Sequence, residues 1–255
     1  MQTRDRISYS PALQRDMHMR IIGHGGQPCL VFPSQNGRCG DFEAFGMHES
    51  CQPWIDQGKL KLYCVDSIDE ETWSATHLPP FDRARRHEAW FRYLIDEVWP
   101  FMREDAGWHG RVMTTGCSMG AMHAVNTLFR RPDLFDTVIA LSGAYDPEQF
   151  LGGYTDDVVY QNSPISSIGG MDPNHPYIER LNTCRIILCV GQGAWEDEML
   201  RSTRTLEGIL KTKGIGAWVD YWGKDVNHDW PWWREQLKYF LAHVMGGDPQ
   251  RPHGS

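Results

Sequence analysis

Short apolar runs alternate along this chain with longer segments of helical period. The apolar runs cover residues 28–32, 60–66, 111–115, 137–142, 185–190 and 216–222. Runs that are apolar on both faces predict central parallel strands covered by helices. Between them, Trp90, Phe91, Leu94, Ile95 and Val98 share one helical face, and Pro100 predicts a kink or an end to that helix. Ala121, Ala124, Val125, Leu128 and Phe129 follow the i, i+3, i+4, i+7, i+8 pattern, with Pro132 as the stop. Trp233, Leu237, Phe240, Leu241 and Val244 predict a last amphipathic helix that ends at Gly246-Gly247. Residues 6–22 mix polar and apolar positions around Pro11 and predict an antiparallel hairpin at the entry. Such alternation is the mark of an α/β fold with a mostly parallel sheet and helices on both faces.

One stretch breaks the rhythm. Residues 147–180 are rich in Gly, Pro, Asn and Asp and fall between two predicted strands. An insertion of that length reads either as a small cap or pocket wall, or as a surface excursion of short helices. With no repeat and no linker, 1–255 is expected to form one domain around a sizeable core.

Composition narrows the classes. A hydrophobic fraction of 41% and a charged fraction of 23% exclude a disordered chain. No apolar run approaches the roughly 18 residues of a membrane span. Residues 1–6 are charged and lead into no apolar stretch, so no secretory signal is expected, and the expected location is cytoplasmic. There are 25 basic and 33 acidic residues, a net charge of −8, which disfavours nucleic acid as a partner. The 7 cysteines include no Cys-x-x-Cys pair, which argues against a zinc ribbon, a redox motif or a dense disulfide framework. Reduced thiols are expected, with a single Cys39–Cys51 bridge left open. The terminal Gly254-Ser255 reads as a cloning remnant.

The strongest local signal is Gly116-Cys117-Ser118-Met119-Gly120. A Gly-x-Ser-x-Gly pentad arises by chance in roughly one chain in ten of this length. Its context raises it, because it follows a predicted strand and opens a predicted helix. A tight strand-to-helix turn needs small residues at both flanks, and it exposes the serine Oγ at a helix N-terminus. The backbone N–H groups there point at any oxyanion formed by attack. The plainer alternative is a turn whose serine caps the helix.

A serine nucleophile needs a base. The order expected on such a sheet is nucleophile, acid, histidine, each after a strand. His228 follows the last predicted strand by a short loop and precedes the last helix. It is the chosen general base among 11 histidines. The acid should follow the run 185–190, where Glu196, Asp197 and Glu198 stand together. Asp197 is the first choice and Glu196 the second; Asp146 is a third candidate. All three adjacent carboxylates also suit a helix N-terminus. The oxyanion donors are expected to be the Met119 N–H and one N–H from residues 34–36, with Gln35 preferred. Cys117 should turn inward and pack. Trp195, Trp230 and Tyr154 are candidate substrate-binding residues by position, with Tyr160 beside them, while Trp233 is expected to pack. His48 and Cys51 are solvated-loop residues before they are metal ligands, so no metal is expected.

The chain resembles the putative esterase family of α/β-hydrolases, which contains feruloyl esterases, S-formylglutathione hydrolase and mycolyltransferases. The stretches that carry the resemblance are TTGCSMGAMHA at 114–124, SGAYDPEQFLGGY at 142–154 and NHDWPWWREQLKYFL at 227–241. It is most similar to the small bacterial esterase-superfamily proteins and extends over about residues 28–245. It implies an α/β-hydrolase fold, a Ser-His-Asp triad with the acid on Asp197, no cofactor, and a small-molecule ester as substrate. Two departures stand out. Pro33-Ser34 replaces the usual His-Gly of the oxyanion loop, and the acid lies in a carboxylate cluster rather than a Gly-x-x-Asp turn.

The leading expectation is therefore a serine hydrolase of carboxylic esters. An acyltransferase with the same triad, and a non-catalytic ligand-binding homologue on the same scaffold, are the alternatives. Exposed aromatic residues leave a homodimer open.

Overall fold

The structure, a computed structural model, describes residues 2–249. Gly254-Ser255 lies outside them.

The hairpin comes first, as β1 (Thr3–Ser10) and β2 (Arg15–Ile22). Pro11 falls in its turn rather than in a strand, where its missing N–H removes no ladder bond. The six apolar runs become β3 (Gln27–Phe32), β4 (Leu60–Val65), β5 (Val112–Cys117), β6 (Phe135–Leu141), β7 (Arg185–Val190) and β8 (Trp218–Tyr221). They form one eight-stranded sheet in the order β1-β2-β4-β3-β5-β6-β7-β8. The first two pairings are antiparallel and all later ones parallel.

Alternate residues of the central strands feed two apolar layers. Leu30, Phe32, Val138, Ala140, Ile186 and Leu188 join one layer. Cys29, Val31, Ile139, Leu141, Ile187 and Cys189 join the other. The first layer is covered by α3 (Pro80–Arg92), α4 (Trp99–Ala106), α5 (Met119–Arg130) and α9 (Asp197–Thr212). The second is covered by α2 (Met47–Asp56), preceded by the short α1 (Asp41–Ala44), and by α10 (Trp230–Met245). The period-2 alternation of buried residues is what gives the sheet two apolar faces and requires helices on both.

Pro100 does not end its helix. A π-helical turn, Tyr93–Val98, joins α3 to α4, and Pro100 sits in the first turn of α4. The π turn rearranges the hydrogen-bond ladder just ahead of the ring, so the proline enters where its missing N–H is tolerated.

The insertion is built from short helices: a 3₁₀ turn at Pro147–Leu151, then α6 (Asp157–Gln161), α7 (Pro164–Gly170) and α8 (Pro176–Leu181). Its composition explains this. Asp146, Ser163 and His175 each cap a helix whose first residue is proline, and Asp156 caps α6. The segment is tied down by Arg83, which donates to the Phe150 carbonyl (2.8 Å), and by Asn162, which joins the Arg130–Glu88 pair.

All seven cysteines are free thiols, so Cys39 and Cys51 are not bridged. Among the described residues no helix is long and apolar enough to cross a membrane, and no cluster of three His, Cys, Asp or Glu could hold a metal.

Candidate active site

The pentad forms a sharp turn from β5 into α5. Ser118 has φ +57° and ψ −124°, a strained conformation for a side-chain-bearing residue. Its N–H is held by the Leu141 carbonyl at 2.9 Å. Two glycines make room. A Cβ on Gly116 would overlap the Gly120 carbonyl, and one on Gly120 would lie 2.6 Å from the Phe32 carbonyl oxygen and nearer still to that of Pro33. The elbow therefore seats directly against the end of β3, which brings the 33–38 loop beside Ser118. Cys117 points into the core, where burial pushes its thiol well above the usual range.

His228 lies on the loop between β8 and α10. Its Nε2 is 2.9 Å from Ser118 Oγ. Its Nδ1 faces Glu196 Oε2 at 3.3 Å. A carboxylate only accepts, so Nδ1 carries the proton and Nε2 is left to accept the serine hydroxyl. The expectation for Asp197 is corrected here: the carboxylate that meets His228 is Glu196.

The reason is local. Trp195 has a left-handed φ of +67°, and that twist turns the next side chain inward. Glu196 is 0% exposed, while Trp195 before it is 83% exposed. Asp197 is the first residue of α9, exposed, where a carboxylate serves the helix N-terminus. Asp146, the third candidate, caps the 3₁₀ turn by accepting from the Glu148 N–H, and burial raises its pKa.

Glu196 is held from several sides. Ser142 Oγ donates to Oε1 at 2.6 Å, and the Gly191 N–H donates to the same oxygen at 3.4 Å. Ser142 itself has φ +55° at the end of β6 and accepts from Trp233 Nε1 at 3.1 Å. Trp233 also sets its ring edge-on to His228, 4.8 Å between centroids. These ties matter because a buried carboxylate persists only where hydrogen bonds replace its water. The acid and base loops are laced together as well. His228 N–H donates to the Ala194 carbonyl (3.0 Å), Gly193 N–H to that of Val226 (2.8 Å), and Ala194 N–H to Asn227 Oδ1 (2.8 Å). A Cβ on Gly191 would collide with Val226, so the glycines of 191–193 permit that approach.

Comparison with known families brings a match over residues 10–244 to the model described as "Putative esterase". The chain belongs to that family. Comparison with curated protein sequences finds no match. Among solved structures it is similar to a ferulic acid esterase, with 14% identity, TM-score 0.74, and 95% of this chain and 97% of that one covered. It is also similar to an S-formylglutathione hydrolase from Agrobacterium tumefaciens, with 13% identity, TM-score 0.73, and 94% and 93% covered. A fluorophosphonate-binding serine hydrolase from Staphylococcus aureus aligns with 11% identity, TM-score 0.67, and 97% and 99% covered. These likenesses establish the α/β-hydrolase fold, as the sheet order does.

In this esterase the other expected site residues are spread around the elbow. Met119 is buried at the first position of α5, whose N–H has no preceding helical turn to bond. It packs with Trp73, Met122, Leu151 and Val159, and Phe150 and Tyr154 close over that cluster. The insertion thus meets the elbow through its first half, and the Tyr154 hydroxyl donates to Asp156 (3.0 Å). Gln35 is exposed on the loop after β3, with its side-chain amide donating to Ser74 Oγ (2.8 Å). Trp230 stacks on Phe45 at 4.3 Å and meets Trp233 edge-on at 5.0 Å, so it connects to His228 through Trp233. Tyr160 lies farther along the insertion, on α6. Sequence reasoning missed Ser142 and the hydrogen-bonding role of Trp233. The Ser142-Gly143 pair at the end of a strand, where a chain must turn sharply, was the available signal.

Proposed function

We propose that this esterase is a serine hydrolase of carboxylic esters that works through Ser118, His228 and Glu196 and passes its acyl group through a covalent acyl-enzyme. One observation carries the reading. Ser118 Oγ stands 2.9 Å from His228 Nε2 on a strained elbow, and the opposite ring nitrogen faces a carboxylate sealed from water.

The chemistry follows from that arrangement. Ser118 Oγ attacks the ester carbonyl carbon as its proton passes to His228 Nε2. The imidazolium so formed is paired with Glu196. Collapse of the tetrahedral intermediate breaks the bond to the alcohol oxygen, which takes the proton from Nε2. Water then attacks the acyl-enzyme with His228 as base, and Ser118 is restored. The Met119 N–H and the Gln35 N–H are the donors to the oxyanion. The apolar group around Met119, Leu151 and Tyr154 serves as one wall of the substrate site, and Trp195 with Trp230 edges its mouth. The substrate class is a small-molecule ester.

The test is intact-mass labelling with a fluorophosphonate on wild type, Ser118→Ala and His228→Ala. One adduct on wild type and none on either variant is the expected result. Normal ester hydrolysis by Ser118→Ala would overturn the reading.

A further inference from the structure

Residues 34–37 form a tight turn closed by the Gly37 N–H on the Ser34 carbonyl at 2.9 Å. Asn36 has φ +59° and Gln35 does not have a positive φ, which marks a type II turn. Types I and II differ by a flip of the central peptide, here the one between Gln35 and Asn36. That peptide is anchored. The Asn36 N–H donates to Asp69 Oδ2 at 3.0 Å. Asp69 opens a 3₁₀ turn after β4, and its other oxygen accepts from His123 Nε2, also at 3.0 Å. Asp69 is 2% exposed and His123 1%. His123 stands on α5, five residues beyond Ser118, and its ring is held by His87 (5.4 Å, stacked) and Trp90 (4.8 Å, edge-on).

We propose that the buried Asp69–His123 pair is a positioning device for the oxyanion loop: it ties the Asn36 N–H, one peptide on from the Gln35 N–H, to the nucleophile helix, and so sets how close the Gln35 N–H stands to Ser118. This inference rests on the serine-hydrolase reading above. Other ties hold the loop elsewhere: the Gln35 side-chain amide on Ser74 Oγ (2.8 Å), and on its later side Ser67 N–H on the Gly37 carbonyl (3.2 Å) and Cys39 N–H on Asp66 Oδ1 (2.9 Å). Among the described residues, Asp69 is the group that holds the central peptide plane. A buried carboxylate needs hydrogen bonds in place of its water. Here those bonds come from the two parts that the oxyanion geometry must keep in register, the loop backbone and α5. Neither Asp69 nor His123 reaches the reacting atoms, so both act through the loop.

The experiment measures kcat and KM for a chromogenic acetate ester, normalised to the fraction of molecules that take a fluorophosphonate adduct at saturation. That normalisation removes unfolded molecules from the comparison. Asp69→Ala should lower kcat per labelled site by about ten- to hundredfold and leave KM within about threefold, because an oxyanion donor acts in the transition state. Asp69→Asn keeps an oxygen for the Asn36 N–H and places its amide NH₂ toward His123, whose Nε2 accepts in the other tautomer. It should stay within about fivefold of wild type. A purely structural pair predicts instead that activity falls only with the labelled fraction. Wild type labelled at Ser118 together with Asp69→Ala within threefold of wild-type kcat per site overturns the clamp alone. A loss that Asp69→Asn does not restore overturns it too. Wild type that takes no adduct overturns the serine-hydrolase reading, and the clamp with it. Should Asp69→Ala not fold, His123→Leu is read by the same ratio: a fall in kcat per site at constant KM supports the clamp, and its absence refutes it.

Discussion

Exchange of Glu196 for Gln isolates what the buried carboxylate does. In the proposed mechanism the His228 ring becomes charged as Ser118 attacks, and its Nδ1 lies 3.3 Å from Glu196 Oε2. At an effective dielectric constant of about 20, two unit charges at that separation attract by about 5 kcal/mol. That is about 3.7 decades of rate. His228 is 16% exposed at its side chain and Glu196 1%, so solvent takes back only part of it. The amide adds a second penalty, because an NH₂ turned toward Nδ1 favours the wrong tautomer. Glu196→Gln should therefore lower kcat by about 10³- to 10⁴-fold, with a nearly isosteric side chain preserving the fold. Asp197→Asn is the control. Asp197 is exposed at the start of α9, where its charge is worth about 0.3–1 kcal/mol of helix stability. It should change kcat by less than about threefold. The assay is initial-rate ester hydrolysis per fluorophosphonate-labelled molecule, with thermal melting in parallel. If Glu196→Gln keeps more than a tenth of wild-type kcat, or Asp197→Asn costs more than Glu196→Gln, the assignment of the acid is wrong.

Two further outcomes test the scaffold around the site. Gly120→Ala places a Cβ 2.6 Å from the Phe32 carbonyl oxygen, and backbone at the end of β3 cannot yield cheaply; a loss of about 2 kcal/mol or more in urea unfolding is expected, and wild-type stability would show the approach to be looser than described. His87 has its pKa held well below the ordinary 6.5 by burial first, then by the nearby His123 and Arg130 charges. The unfolded chain thus takes up a proton below pH 6.5 that the folded chain refuses, so this contribution to stability is full above 6.5 and declines as pH falls below it. Between pH 7.5 and 5.5 the decline amounts to about 1.4 kcal/mol for one proton. His87→Phe should lose that much less over the same interval; parallel pH profiles for the two proteins would count against the buried neutral ring.

The sheet was readable because its strands are apolar at adjacent positions, a pattern that burial on both faces demands. All six runs appear as strands within a few residues; five are central, while 216–222 forms β8 at the sheet edge, half-buried rather than covered on both faces. The helices of 41–56 were not foreseen, since Gly40, Gly46 and Pro53 interrupt any helical period there, and packing against α10 supplies what local preference lacks. Of the kink or end expected at Pro100, the end does not occur: a stop in an isolated helix is absorbed here by a π turn whose own residues Leu94 and Val98 are buried in the core. The placement of Ser118 on the elbow and of His228 beside it was legible because each is set by a local event, a turn that only small flanking residues permit and a loop between the last strand and the last helix.

By itself, the sequence determined the succession of strands, the helices around Trp90, Ala121 and Trp233, the elbow and the histidine that follows the last strand. Each of these depends on neighbours within a few residues, where periodicity and turn sterics suffice. Only the tertiary structure decided which of Glu196, Asp197 and Glu198 faces the histidine. Adjacent residues differ in direction and not in composition, and the direction was set by the twist at Trp195, by Gly191 at the end of the same strand, and by Ser142 and His228 brought from two other strand ends. The same holds for the Asp69–His123 pair, whose members lie 54 residues apart and meet only because β3, β4 and α5 pack around one corner of the sheet.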